Sequence, residues 1–112
     1  MSNEIHVGYV REASEGWEAL VFRDAEGRSL EIQRGLAAAA EDFTHCVVLD
    51  GGPVAEDGIE AWRFAAPVLS LRLSEDAQQQ LGLDEVLAFT CTAGGCQLVE
   101  ARLGSILGFD ES

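Results

Sequence analysis

Val68-Leu-Ser-Leu-Arg-Leu-Ser-Glu-Asp-Ala-Gln-Gln-Gln-Leu-Gly-Leu83 holds two elements and the junction between them. Its first six residues alternate. Leu69, Leu71 and Leu73 point one way and Ser70 and Arg72 the other, the period of a half-buried strand. At Ser74 the period breaks. A serine hydroxyl there can accept an early helical N–H, and Glu75 and Asp76 stand where the helix dipole favours acids. Gly82 can take the left-handed backbone that stops the helix after Leu81, and Leu83 supplies the apolar contact that follows such a stop.

Working upstream, Ile59 to Phe64 reads as a strand with Trp62 and Phe64 on one face together with Glu60, and Ala65-Ala66-Pro67 turns the chain. Thr44 to Leu49 is β-branched and apolar, which predicts a buried strand that Asp50-Gly-Gly-Pro53 breaks. Residues 54–58 read as an acidic loop. Gly35 to Phe43 carries an alanine run that favours a short helix.

The N-terminal third predicts three strands. Residues 4–12 place Ile5, Val7 and Tyr9 on one face. Trp17 to Arg23 and Arg28 to Gln33 form a hairpin about Asp24-Ala-Glu-Gly27, with Leu30 and Ile32 inward and Ser29, Glu31 and Gln33 outward. Downstream, Asp84 to Cys91 is a strand and Thr92-Ala-Gly-Gly95 a loop. Cys96 to Leu107 is an amphipathic helix whose stripe is Leu98, Val99, Leu103, Ile106 and Leu107. The expectation is one α+β domain over residues 1–112, a mostly antiparallel sheet of about seven strands with two or three helices.

The charge is the other strong signal. Twenty Asp and Glu face seven Arg and no Lys, a net −13 over 112 residues, while 47% of the residues are apolar. An acidic disordered tail lacks that apolar content, so the charge dresses a folded domain. Residues 1–34 hold four Arg and seven acids, net −3; residues 35–112 hold three Arg and thirteen acids, net −10. Such a field repels nucleic acid and anionic lipid and speeds encounter with a basic partner; it also serves solubility.

No motif for catalysis stands out. The sequence has neither a phosphate-binding glycine signature nor a Gly-x-Ser-x-Gly turn. Cys46 follows His45, but neighbours on a strand face opposite ways, so His45 does not serve Cys46 as a base. Cys91 and Cys96 lie at the edge of zinc-like spacing with no second pair, and Asp50 to Asp57 lacks the EF-hand pattern, so neither a metal nor another cofactor is expected. Three cysteines argue for reduced thiols. No run approaches a membrane span and no signal-like segment opens the chain, so a cytoplasmic, non-membrane protein is expected.

The run Trp62-Arg-Phe-Ala-Ala-Pro67, continued through the strand and Ser-capped helix to Leu83, resembles the immunity protein 10 family of bacterial polymorphic toxin systems. Thr44-His-Cys-Val-Val-Leu-Asp-Gly-Gly52 is similar to that family's glycine-bearing middle strand and loop, and Ile106-Leu-Gly108 to its closing helix; the likeness is best over residues 44–108. The resemblance implies a cytoplasmic protein that binds and neutralises a cognate toxin by occlusion, without catalysis. On this reading carboxylates meet a basic toxin face, and Asp50, Glu56, Asp57, Glu60 and Trp62 are the expected partner-binding residues. Two alternatives stand beside it. One is a small-ligand or enzymatic domain with a pocket near Cys46 and His6. The other is a homo-oligomer, such as a homodimer packed through an edge strand and Trp17 or Trp62.

Overall fold

Eight strands hydrogen-bond in the order β5-β4-β3-β2-β1-β8-β7-β6 in the computed structural model, which describes residues 4–12, 14–35 and 45–111. They are β1 (Glu4–Glu12), β2 (Trp17–Arg23), β3 (Ser29–Gly35), β4 (Cys46–Leu49), β5 (Val54–Glu56), β6 (Ile59–Ala65), β7 (Val68–Leu73) and β8 (Val86–Cys91). Helix α1 (Glu75–Leu81) sits between β7 and β8. After β8 come α2 (Ala93–Leu98), a π-helical stretch (Val99–Leu103) and α3 (Gly104–Leu107), continuous along the chain. The helix expected over 35–43 lies outside the described residues, except that Gly35 closes β3.

The order of strands carries its own consequence. β5 and β6 are the two outermost strands, yet only Asp57 and Gly58 lie between them. Three peptide steps reach no more than about 11 Å. Seven spacings across a flat sheet come to about 34 Å. The sheet therefore curls until its edges meet at that turn. All neighbouring pairs are antiparallel except β1–β8, a parallel joint of two residue pairs, Glu4 with Thr90 and Ile5 with Cys91. The Thr92 N–H extends this joint by donating to the Ile5 carbonyl at 3.1 Å.

The inner face follows the alternation. Tyr9, Leu20, Ile32, Val47 and Ala55 lie in register across β1 to β5, and Leu69, Leu71 and Leu73 line β7. The C-terminal helical run fills the hollow with Val99, Leu103, Ile106 and Leu107, all fully buried. Burial of each such side chain is worth about 1.5–3 kcal/mol.

Four expectations are corrected. Residues 54–58 are not all loop: Val54–Glu56 pairs with β4 and gives the eighth strand. Three residues with two outward polar or exposed positions carry too short a pattern to show it. Glu60 does not share a face with Trp62 and Phe64. A β-bulge between Ile59 and Ala61 lets Ile59 pair with Leu73 and Trp62 with Leu71, so both turn inward and Glu60 is released to solvent. Trp62 is core, 8% exposed, with its indole N–H donating to the Phe109 carbonyl at 3.1 Å. Residues 92–95 are a helix start, because the Thr92 hydroxyl accepts the Gly95 N–H at 3.3 Å.

The spacing Gly95, Val99, Leu103, Leu107 repeats every four residues, which drifts around an α-helix of 3.6 residues per turn. The wider π turn over Val99–Leu103 takes up that drift and keeps the stripe on the sheet. Beyond the run, the Glu111 carboxylate accepts the Phe64 N–H at 2.5 Å, so the C-terminal segment covers part of the β6 edge.

Gly95 sets how closely this run approaches β1. A Cβ there would lie 2.8 Å from Val7 Cγ2 and 3.1 Å from Val7 Cβ, and the β-branched Val7 has little freedom to yield. At Gly94 a Cβ would meet nothing within 4 Å. Gly95→Ala is expected to destabilise by about 1–3 kcal/mol through overpacking, despite alanine's better helix propensity. Gly94→Ala is expected to be neutral or to stabilise by up to about 1 kcal/mol. Urea unfolding of both variants checks the pair; equal effects would contradict the close approach.

Candidate partner-binding surface

The outer face of β1–β5 is built by the residues that alternate with the core. Val10, Ala19, Gln33, Cys46 and Glu56 lie in register across the five strands, and Gly8, Val21, Glu31, Val48 and Val54 form the next row. Val10 and Val54 are 37% and 49% exposed. Glu56 lies directly opposite Cys46, and Glu31 lies diagonal to it, opposite Val48. The result is a set of exposed and half-buried valines, interrupted by the fully buried Ala19, with carboxylates set into and beside it.

The Cys46 thiol reports that charge. Partial burial pushes its pKa up, and Glu56, Glu31 and Asp57 push it further. Its sulfur sits 3.8 Å from the Gln33 side-chain oxygen. These influences oppose the thiolate that a nucleophile requires. His6 lies exposed on the outer face of β1, with β2 and β3 between it and Cys46. The structure does not bring the two together.

His45 turns the other way and is 2% exposed. Its Nε2 accepts the Ile59 N–H at 3.1 Å, so Nε2 carries no proton and the neutral ring holds its hydrogen on Nδ1. Nδ1 stands 3.6 Å from Asp57 Oδ1, too far for a normal hydrogen bond. The backbone closes the same junction: the Asp57 N–H donates to the His45 carbonyl at 2.8 Å, and the His45 N–H donates to Asp57 Oδ1 at 3.2 Å. Burial holds the His45 pKa below its ordinary value, outweighing the opposing pull of Asp57.

The five expected residues therefore divide. Glu56 and Asp57 lie together near Cys46. Glu60 follows on the bulge, 4.0 Å from Arg72. Asp50 lies at the far end of β4, where its Oδ1 accepts the Ser29 N–H at 2.7 Å. Trp62 is on the inside. Glu31 is the carboxylate that joins Glu56 and Asp57 from a distant part of the chain. Its outward position on β3 was legible, but its neighbour across the strands was not.

Cys91 is buried and its thiol is pushed up to about 11, first by desolvation and then by Cys96. Cys96 donates its S–H to the Cys91 carbonyl at 3.8 Å. All three cysteines are free thiols. Among the described residues, no group of three His, Cys, Asp or Glu is placed to hold a metal ion, and no helix is long and apolar enough to cross a membrane. Comparisons with family models, curated proteins and solved structures found no match to this chain.

His45→Phe keeps an aromatic ring but strips the buried Ile59 N–H of its acceptor, so stability at pH 7.5 is expected to fall by about 1–3 kcal/mol. The folded pKa of His45 is depressed, so below about pH 6.5 the unfolded wild type takes up a proton that the folded state refuses. Wild type thus loses stability relative to the variant as pH falls, and the gap narrows. Urea melts at pH 7.5 and 5.5 check both; a gap that widens in acid would contradict the neutral, accepting ring.

Proposed function

We propose that this chain is a cytoplasmic immunity protein that binds a basic face of a cognate toxin and neutralises it by occlusion, with no catalysis of its own. The observation that carries this reading is the outer face of β1–β5, where Glu31 and Glu56 flank Cys46 and exposed valines. An apolar centre with a charged surround is the usual anatomy of a protein interface. The net charge of −13 adds long-range attraction for a basic partner. The resemblance of residues 44–108 to immunity proteins supplies the job; the comparisons add no support to it.

Asp50, Glu56, Asp57 and Glu60, joined by Glu31, are the proposed contact carboxylates. Trp62 is reassigned from interface anchor to core, because its ring is buried and its N–H is engaged by Phe109. The outer valines also offer a surface for a second copy of the chain, which mass measurement in solution separates from a complex with a toxin.

The test mixes the purified chain with the C-terminal module of a secreted toxin encoded beside it. A one-to-one complex is expected, with association slowing steeply between low and high salt. The double variant Glu31→Arg, Glu56→Arg is expected to slow association at least about tenfold with little change in melting temperature. No complex at low salt, or one indifferent to salt and to both reversals, would overturn the proposal.

A further inference from the structure

One end of the curled sheet is open. There the β2–β3 turn, the β4–β5 turn and the α1–β8 connection surround a cleft of about 360 Å³. Phe22, Leu30, Leu49, Leu83, Leu87 and Phe89 form its apolar wall. Phe22 and Phe89 meet edge to face at 5.3 Å within it. Leu49, Leu83, Leu87 and Phe89 remain only half-buried, so the wall is lined by apolar surface that the fold leaves uncovered. A concave apolar site at the mouth of a β-barrel is a common place for a small ligand, and the volume falls at the lower end of the usual 300–1,000 Å³.

The rim decides what kind of ligand fits. Asp24, Asp50 and Arg28 stand at the opening. An adjoining cleft of about 430 Å³ shares Asp24 and Arg28 and adds Glu4 and Glu26. Arg28 is already engaged, with its Nε 2.9 Å from Asp24 and an Nη 3.3 Å from Glu26. Four carboxylates against one guanidinium leave a net of three negative charges at the opening. An anionic amphiphile would be repelled there, and a cation seated above the apolar wall would be attracted.

We propose that this mouth binds a small cationic amphiphile, an apolar body carrying a primary amine or quaternary ammonium head. The apolar body lies against Leu49, Leu87 and Phe89, and the head lies at Asp50, since the Asp24 carboxylate is taken by Arg28. The site shares Asp50 with the carboxylates proposed for a protein partner, but Glu31, Glu56, Cys46 and the outer valines do not line it. It is also not the pocket expected near Cys46 and His6, neither of which lines it.

The experiment titrates octylamine, octanol and octanoate into the labelled full chain at pH 7 and low salt, reading backbone amide shifts. Saturable one-to-one binding of octylamine is expected, with shifts centred on Leu49, Leu87 and Phe89, weaker binding of octanol and none of octanoate. Asp50→Asn removes the charge while an amide oxygen can still accept the Ser29 N–H, and asparagine tolerates the positive φ of 50° at this position. It is expected to weaken octylamine about two- to fivefold. Leu87→Arg, at a half-buried strand position, is expected to abolish binding, with its amide spectrum showing that it folds. Octanoate binding as well as octylamine, non-saturating shifts, shifts confined to the outer-face valines, or an Asp50→Asn variant that binds unchanged would each overturn the proposal.

Discussion

Two residues, Asp57 and Gly58, tie the two edge strands of an eight-stranded sheet together, and the rest of the architecture follows from that tether. The short span forces the curl, and the curl makes one face concave. A side chain at Gly58 would come within 3.1 Å of the Ala77 Cβ and 3.3 Å of the Ala55 Cβ, so the junction is closed by α1 from one side. His45 closes it from within. A buried imidazole that accepts the Ile59 N–H does for this turn what a strand neighbour does elsewhere, satisfying a donor that water cannot reach.

The same closure sorts the surfaces. The concave face is filled by the C-terminal helical run, whose Val99, Leu103, Ile106 and Leu107 share one buried cluster with Leu69 and Leu71. What remains for recognition is the convex face and the open end. The convex face of β1–β5 concentrates carboxylates around Cys46, whereas the convex face of β6–β8 carries Arg63 and Arg72 among small residues. Glu60 stands 4.0 Å from Arg72 on that second half, so the carboxylates proposed for a partner run from β3 round to the start of β6.

Much of the fold was legible because local chemistry and tertiary need agree. Trp17–Arg23 falls where the hairpin reading places it and Val68–Leu73 where alternation does, and Ser74 caps α1 by accepting the Ala77 N–H at 3.1 Å. The failures have physical causes. Gly94 and Gly95 look like a loop in isolation, but Gly95 is needed for close contact with Val7 and Thr92 offers the cap. Glu60 shifts face because a bulge adds a residue, which strict alternation cannot foresee. Of the candidate site, the excess of acids was visible at once. The meeting of Glu31 with Glu56 depends on pairing between β3, β4 and β5, and Trp62 looked like an anchor because its hydrogen-bond partner, Phe109, lies 47 residues away.

Nitrogen NMR of the His45 ring at pH 7.5, with exchange of the Ile59 amide read on the same sample, tests the closure most directly. The account predicts a single neutral tautomer with hydrogen on Nδ1, a scalar coupling from Nε2 to the Ile59 amide hydrogen, and exchange of that hydrogen as slow as in the central strands. A ring averaging between tautomers, together with an Ile59 amide that exchanges like an open loop, would contradict it.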